Sequence, residues 1–210
     1  EPNRGLTRRV IMIRMKAILA FTAAVAFALS PWLSTGFNGF SPDQFPVPQT
    51  DPPIQPAGWA FSIWGLIYSL SIVYGMYQII PKYDNKTLKQ TRVPALLGFT
   101  GSAVWLYFAG MSNWMVWLTI LVLFGMALVL TTVVTAAEGE NIWQNRFSKY
   151  ILLPYAAWAG IASWVNVQAL LLDQNVITSP SVNFVTNIFL FIGLTLFTLK
   201  YFRKSGYSAW

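Results

Sequence analysis

Cysteine and histidine are both absent from this 210-residue chain. Without cysteine there are no disulfides, no thiolate metal sites and no cysteine nucleophile, and the redox compartment is left undetermined. Without histidine the chain lacks the commonest metal ligand, the usual general base and the proximal ligand of most haem proteins. Charge is also scarce, at 10% of residues, where a soluble domain carries about 25%. With 55% hydrophobic residues and a mean hydropathy of +0.51, the chain cannot cover a soluble surface. It reads as an all-α integral membrane protein. The few charges lean to one sign, 14 Lys and Arg against 7 Asp and Glu, whereas aromatics are plentiful, with 10 Trp, 9 Tyr and 15 Phe.

A helix needs about 20 mostly apolar residues to cross a bilayer. Six stretches meet that demand, at about 15–33, 58–80, 93–111, 114–137, 150–172 and 182–200. Their interiors hold no ionisable side chain. The first connector, 34–57, is the longest and carries Pro42, Pro46, Pro48, Pro52, Pro53 and Pro56, which favour extended backbone. The others are expected at 81–92, at Ser112–Asn113, at 138–149 and at 173–181. The shortness of the third predicts a tight antiparallel hairpin. A basic start and a short apolar core also describe a secretory signal, but Pro31 follows Ser30 and no clean A-x-A site appears. A retained first helix is therefore expected.

Charge placement gives the topology. Arg4, Arg8, Arg9, Arg14 and Lys16 precede span one; Lys82, Lys86, Lys89 and Arg92 lie in the second connector; Arg146 and Lys149 lie in the fourth; Lys200, Arg203 and Lys204 close the chain. The first, third and fifth connectors carry no basic residue. With six spans every cation falls on one side, which the positive-inside rule assigns to the cytoplasm or its equivalent, together with both termini. The net charge of +7 thus reflects topology and attraction to anionic headgroups rather than nucleic-acid binding. The Asn85-Lys86-Thr87 sequon lies on that inner side and is expected to stay unmodified.

The empty span interiors argue against a proton relay or voltage sensor. No phosphate-binding glycine motif is present, and no carboxylate pair lies in the membrane for acid–base work. No catalytic residue and no metal site is expected. The aromatics are more telling. Phe61, Trp64 and Tyr68 follow i, i+3, i+7 and share one helix face. An aromatic belt at the headgroup level accounts for Trp32, Trp114, Trp143, Tyr150, Tyr201 and Trp210. It does not account for Trp105, Trp158 and Trp164, which lie well inside their spans and need either helix packing or a ligand. Gly98, Gly101, Ala156 and Gly160 admit close helix contact. Asn166, an amide in hydrocarbon, needs a partner on another helix or on a ligand.

Two segments resemble the TspO/MBR family of tryptophan-rich sensory and translocator proteins. Pro56-Ala-Gly-Trp-Ala-Phe-Ser-Ile-Trp-Gly-Leu-Ile-Tyr68 resembles the opening of that family's second helix. Pro154-Tyr-Ala-Ala-Trp-Ala-Gly-Ile-Ala-Ser-Trp-Val-Asn166 resembles its helix-five motif, with matching spacing at Pro154, Tyr155, Trp158, Ala162 and Asn166. The resemblance implies a TspO-like five-helix transmembrane bundle over residues 1–172, to which residues 173–210 add an extra C-terminal transmembrane helix and a short basic tail. It also implies a pocket between helices, beneath the first connector, that takes porphyrins, haem-like tetrapyrroles, sterols and other hydrophobic molecules. By position, Trp158, Ala162 and Val165 would line it from span five, Trp59 and Phe61 from span two, with Asn166 as the motif's asparagine. Trp64 and Trp105 join them as aromatics inside their spans. Val167 to Leu172 supply neither the tyrosine nor the basic residue of the family's sterol pattern. Leu199 to Arg203 fits a loose form of it and reads as a snorkelling helix end.

The expected function is a membrane protein that binds a planar hydrophobic ligand, foremost a porphyrin or other tetrapyrrole, as a sensor or carrier. No cofactor is required. Without histidine, a metal-free porphyrin is the easier ligand. Light-dependent porphyrin breakdown is the one enzymatic activity the resemblance suggests. The alternatives are an assembly subunit of a larger membrane complex and an uncoupled facilitator for small hydrophobic molecules. The expected partners are the lipid bilayer, the hydrophobic ligand, and a homodimer or membrane-complex partner at the sixth helix, with no nucleic acid.

Overall fold

A computed structural model describes residues 2–34, 56–80, 86–109, 116–136, 142–177 and 179–204. Hydrocarbon offers the backbone no hydrogen-bond partner, so a spanning chain must satisfy its own amides. Helix is the result throughout these residues: α1 (Pro2–Leu33), a single 3-10 turn (Gly58–Ser62), α2 (Ile63–Ile79), α3 (Lys86–Ala109), α4 (Val116–Ala136), α5 (Ile142–Asp173) and α6 (Pro180–Lys204). Three stretches are long and apolar enough to cross a membrane, Val10–Leu33, Gly58–Ile79 and Arg146–Leu172, and Trp117–Thr132 and Pro180–Gly193 are shorter apolar helical stretches. The protein is an all-α integral membrane protein.

The helices begin earlier than hydropathy suggests. The polar stretches 81–92 and 138–149 read as connectors, but α3 is helical from Lys86 and α5 from Ile142. At 32 residues each, α1 and α5 run about 48 Å, against a hydrocarbon core of about 30 Å. Their N-terminal segments, which carry basic residues, therefore extend past the apolar layer. The third connector and most of the first lie outside the described residues.

Packing contacts fix the helix directions. Arg92 on α3 reaches Ile13 on α1, and Ser34 reaches Leu106, so α1 and α3 run parallel. Phe21 faces Gly75 while Phe27 meets Tyr68, so α2 runs antiparallel to α1. Gly98 faces Leu130 and Gly101 faces Met126, which makes α3 and α4 the expected antiparallel pair. Tyr77 meets Phe147 at a tilt while Phe61 meets Trp158, so α5 returns antiparallel to α2. One end of the bundle thus gathers Arg14, Lys16, Lys86, Lys89, Arg92, Arg146 and Lys149.

Glycine permits the closest of these contacts. A Cβ at Gly75 would sit 3.1 Å from the Cα of Phe21, and one at Gly98 would sit 2.7 Å from Leu130 Cδ2. The α5 C-terminus closes with Asn175 at φ 53°. Its N–H bonds Leu172 O, and the Val176 N–H bonds Leu171 O. This is the Schellman arrangement, which satisfies carbonyls that the helix end leaves without a donor. α6 then returns and is held to α5 by amides, with Gln168 Nε2 donating to Asn187 Oδ1. Most of the described side chains of α6 are exposed, among them Phe184, Phe189, Phe191 and Leu196.

Two cations expected in solvated connectors are buried instead. Arg92 is 3% exposed and Lys149 is 6% exposed. Arg92 Nε donates to Gln78 Oε1 at 2.6 Å and its NH1 donates to Ile13 O at 3.2 Å. Sequence assigned Arg92 to a loop because the residues before it are polar. The fold makes those residues a helical turn and packs the arginine between α1 and α2.

Candidate ligand site: an aromatic cluster at the non-basic end

Helix periodicity sets the site. Phe61, Trp64 and Tyr68 do share one face, and that face turns toward α1, α3 and α5. Trp64, 3% exposed, is the central ring. Its indole lies 6.1 Å from that of Trp105 at an interplanar angle of 16°. It lies 6.3 Å from Trp158 at 89° and 5.7 Å from the Tyr68 ring at 23°. Phe27 of α1 closes the group, 4.9 Å from Tyr68 and 6.1 Å from Trp64. Phe61 meets Trp158 edge-on at 5.7 Å. Offset and edge-on geometries of this kind suit the aromatic quadrupole.

Beneath this group Tyr155 ties α5 to α3. Its ring stacks on Phe27 at 5.2 Å. Its hydroxyl donates to Gly98 O at 2.9 Å and shares a hydrogen bond with Ser102. The Pro154 ring inside α5 removes one backbone donor just before this tyrosine, a loss that packed membrane helices tolerate.

Polar groups are the unusual feature. The Nε1 atoms of Trp105 and Trp158 and the hydroxyl of Tyr68 are all buried with no hydrogen-bond partner among the described residues. All three belong to rings packed on Trp64. An unpaired buried donor costs about 1–3 kcal/mol, so three around one ring are a latent demand for an acceptor. These donors and rings can bind and orient an apolar plate with polar edges. The described residues hold no cluster of His, Cys, Asp or Glu fit for a metal ion.

The expected site residues divide. Trp64, Trp105, Trp158 and Phe61 come together, and Ala162 packs against the same core. Val165 is partly buried on the next turn of α5. Asn166 is also partly buried, and its Nδ2 donates to Ala162 O of its own helix at 2.8 Å. That back-bond is neither a bridge to another helix nor a contact with the cluster. Trp59 is 81% exposed and does not join the rings. Two members of the cluster lay outside the expected set. Tyr68 was signalled by the shared face it forms with Phe61 and Trp64. Phe27 carried no signal, because α1 is apolar on every side at that level.

A family model for TSPO-like proteins matches residues 12–208. The chain belongs to this family. No curated protein and no solved structure is matched by it. In this TSPO-like protein the helix-five motif places Tyr155 and Trp158 in the core, while the helix-two motif supplies Phe61, Trp64 and Tyr68. The match extends through α6, so the sixth helix lies within the matched region.

Proposed function

We propose that this TSPO-like membrane protein binds a planar tetrapyrrole at the aromatic cluster, as a sensor or carrier. The observation that carries the reading is the convergence on Trp64 of three buried donors without partners, Trp105 Nε1, Trp158 Nε1 and the Tyr68 hydroxyl. A porphyrin offers an apolar disc to the rings and acceptor atoms at its centre and edge. The ligand enters at Phe61, which is half-buried on a single 3-10 turn, an element with poorer hydrogen-bond geometry than an α-helix. The chain contributes binding and orientation. A metal-free ring suits a chain without histidine.

The test is a titration of the purified protein in detergent with protoporphyrin, following its Soret absorbance. Saturable binding is expected. Trp105→Phe and Trp158→Phe keep a ring but delete the N–H, and each is expected to weaken binding about five- to tenfold. Trp117→Phe, at a 62% exposed position, should change nothing. Non-saturable uptake that is equal in all four proteins means partitioning into detergent, and the site assignment then fails.

The same reading places both termini on the cytoplasmic or equivalent side, supported by the gathering of cations at one end of the bundle. A chain with no native cysteine suits single-cysteine labelling. An impermeant maleimide applied to intact cells or sealed right-side-out vesicles should reach Gln174→Cys directly and Lys86→Cys only after permeabilisation. The opposite pattern would invert the topology.

A further inference from the structure

At the basic end, far from the aromatic cluster, α1, α2 and α3 enclose a cleft of about 440 Å³ lined by Val10, Ile13, Arg14, Ala17, Ile18, Gln78, Ile79, Lys89 and Arg92. Three of these nine residues are cations and none is a carboxylate. We propose that this cleft binds the phosphate group of an anionic phospholipid, with the acyl chain lying along its apolar outer wall.

The floor is built rather than incidental. Arg92 is 3% exposed and Gln78 is 3% exposed. The Gln78 side chain accepts from Arg92 Nε, and the α1 backbone at Ile13 accepts from NH1. These two bonds fix the plane of the guanidinium, and a planar, weakly hydrated cation suits phosphate better than an ammonium does. Above it Arg14 and Lys89 are exposed, on different helices, and both line the cleft.

The rest of the lining decides between a lipid and a free phosphate. Val10 is 48% exposed, Ile18 57% and Ile79 39%. These side chains are on the same wall as the cations and continue into the apolar surface of α1 and α2. A soluble phosphate has no use for them, whereas an acyl chain does. The cleft also sits beside the N-terminal ends of the apolar stretches 15–33 and 93–111, and basic pockets between helices at the headgroup level favour anionic lipids.

The experiment uses the full-length protein in nanodiscs and measures co-purified lipid by native mass spectrometry. Phosphatidylglycerol, phosphatidylcholine and inorganic phosphate serve as probes. Phosphatidylglycerol should be retained at one per chain in preference to phosphatidylcholine. Arg14→Gln and Lys89→Gln alter exposed residues and spare the Arg92 anchor, so both should fold. Each should weaken retention about fivefold and the pair roughly 25-fold. Arg146→Gln, an exposed cation outside the cleft, should leave retention unchanged. Equal loss in Arg146→Gln, or no loss in the double variant, would reduce the effect to general surface charge and overturn the proposal. Displacement of the lipid by inorganic phosphate at equal concentration would overturn the choice of a lipid.

Discussion

Trp64→Ala is expected to destabilise the bundle by about 3–5 kcal/mol, the range for truncating a large buried aromatic. Trp64 touches Trp105, Trp158, Tyr68 and Phe27, so its removal leaves a void bordered by four rings on four helices. Those rings cannot all relax inward, because each is held by its own helix, and the cavity cost persists. Thermal unfolding in a mild detergent reads the effect. The matched control is Trp59→Ala, which deletes the same side chain at an 81% exposed position and is expected to shift stability by about 0.5 kcal/mol or less. Similar losses in the two variants would mean that the cluster is not the core of the bundle. The pair also bears on ligand binding. Trp59→Ala should retain the protoporphyrin titration, whereas a folded fraction of Trp64→Ala should lose it.

Tyr155 separates a ring from a hydroxyl. Tyr155→Ala is expected to cost about 3–5 kcal/mol, because the side chain is fully buried and stacks on Phe27 and Phe99. Tyr155→Phe keeps that packing and deletes the bond to Gly98 O and the shared bond with Ser102. Its cost is expected at about 0.6–2 kcal/mol. Inter-helix hydrogen bonds in membranes average about 0.6 kcal/mol, while Ser102, buried with one partner fewer, adds to that. The Ser102→Ala, Tyr155→Phe double variant should cost less than the sum of the singles. Full additivity in that cycle would show that the two hydroxyls do not interact.

The neighbourhood of Tyr155 shows how far the motif could be read in advance. The resemblance to the family's helix-five motif groups Pro154, Tyr155, Trp158 and Asn166, yet it does not rank them. The structure gives the inter-helix tie to Tyr155 and the ring contacts to Trp158, and it leaves Asn166 bonded within its own helix. Gln168, Asn183 and Asn187 form a parallel case. Each was an isolated polar residue in an apolar stretch, and only the return of α6 brings them into one amide cluster. A polar residue in hydrocarbon announces that it needs a partner, but it does not say which one.

By itself the sequence determined the solvent and the helical secondary structure of the molecule. Charge too sparse for a water-facing surface and apolar stretches of spanning length leave helices in a bilayer as the answer, because hydrocarbon forces each backbone to bond within itself. Tertiary structure alone decided which side chains meet. α2 and α4 are apolar on nearly every side, so periodicity cannot say which face is buried and which meets lipid. Trp59 and Trp64 lie five residues apart in the same motif, yet the first is exposed and the second is buried at the centre of the core. Likewise, the helical start of α3 carries Arg92 out of a supposed loop and into the floor of a cleft. Such outcomes depend on the register and contact of neighbouring helices, and no local pattern encodes them.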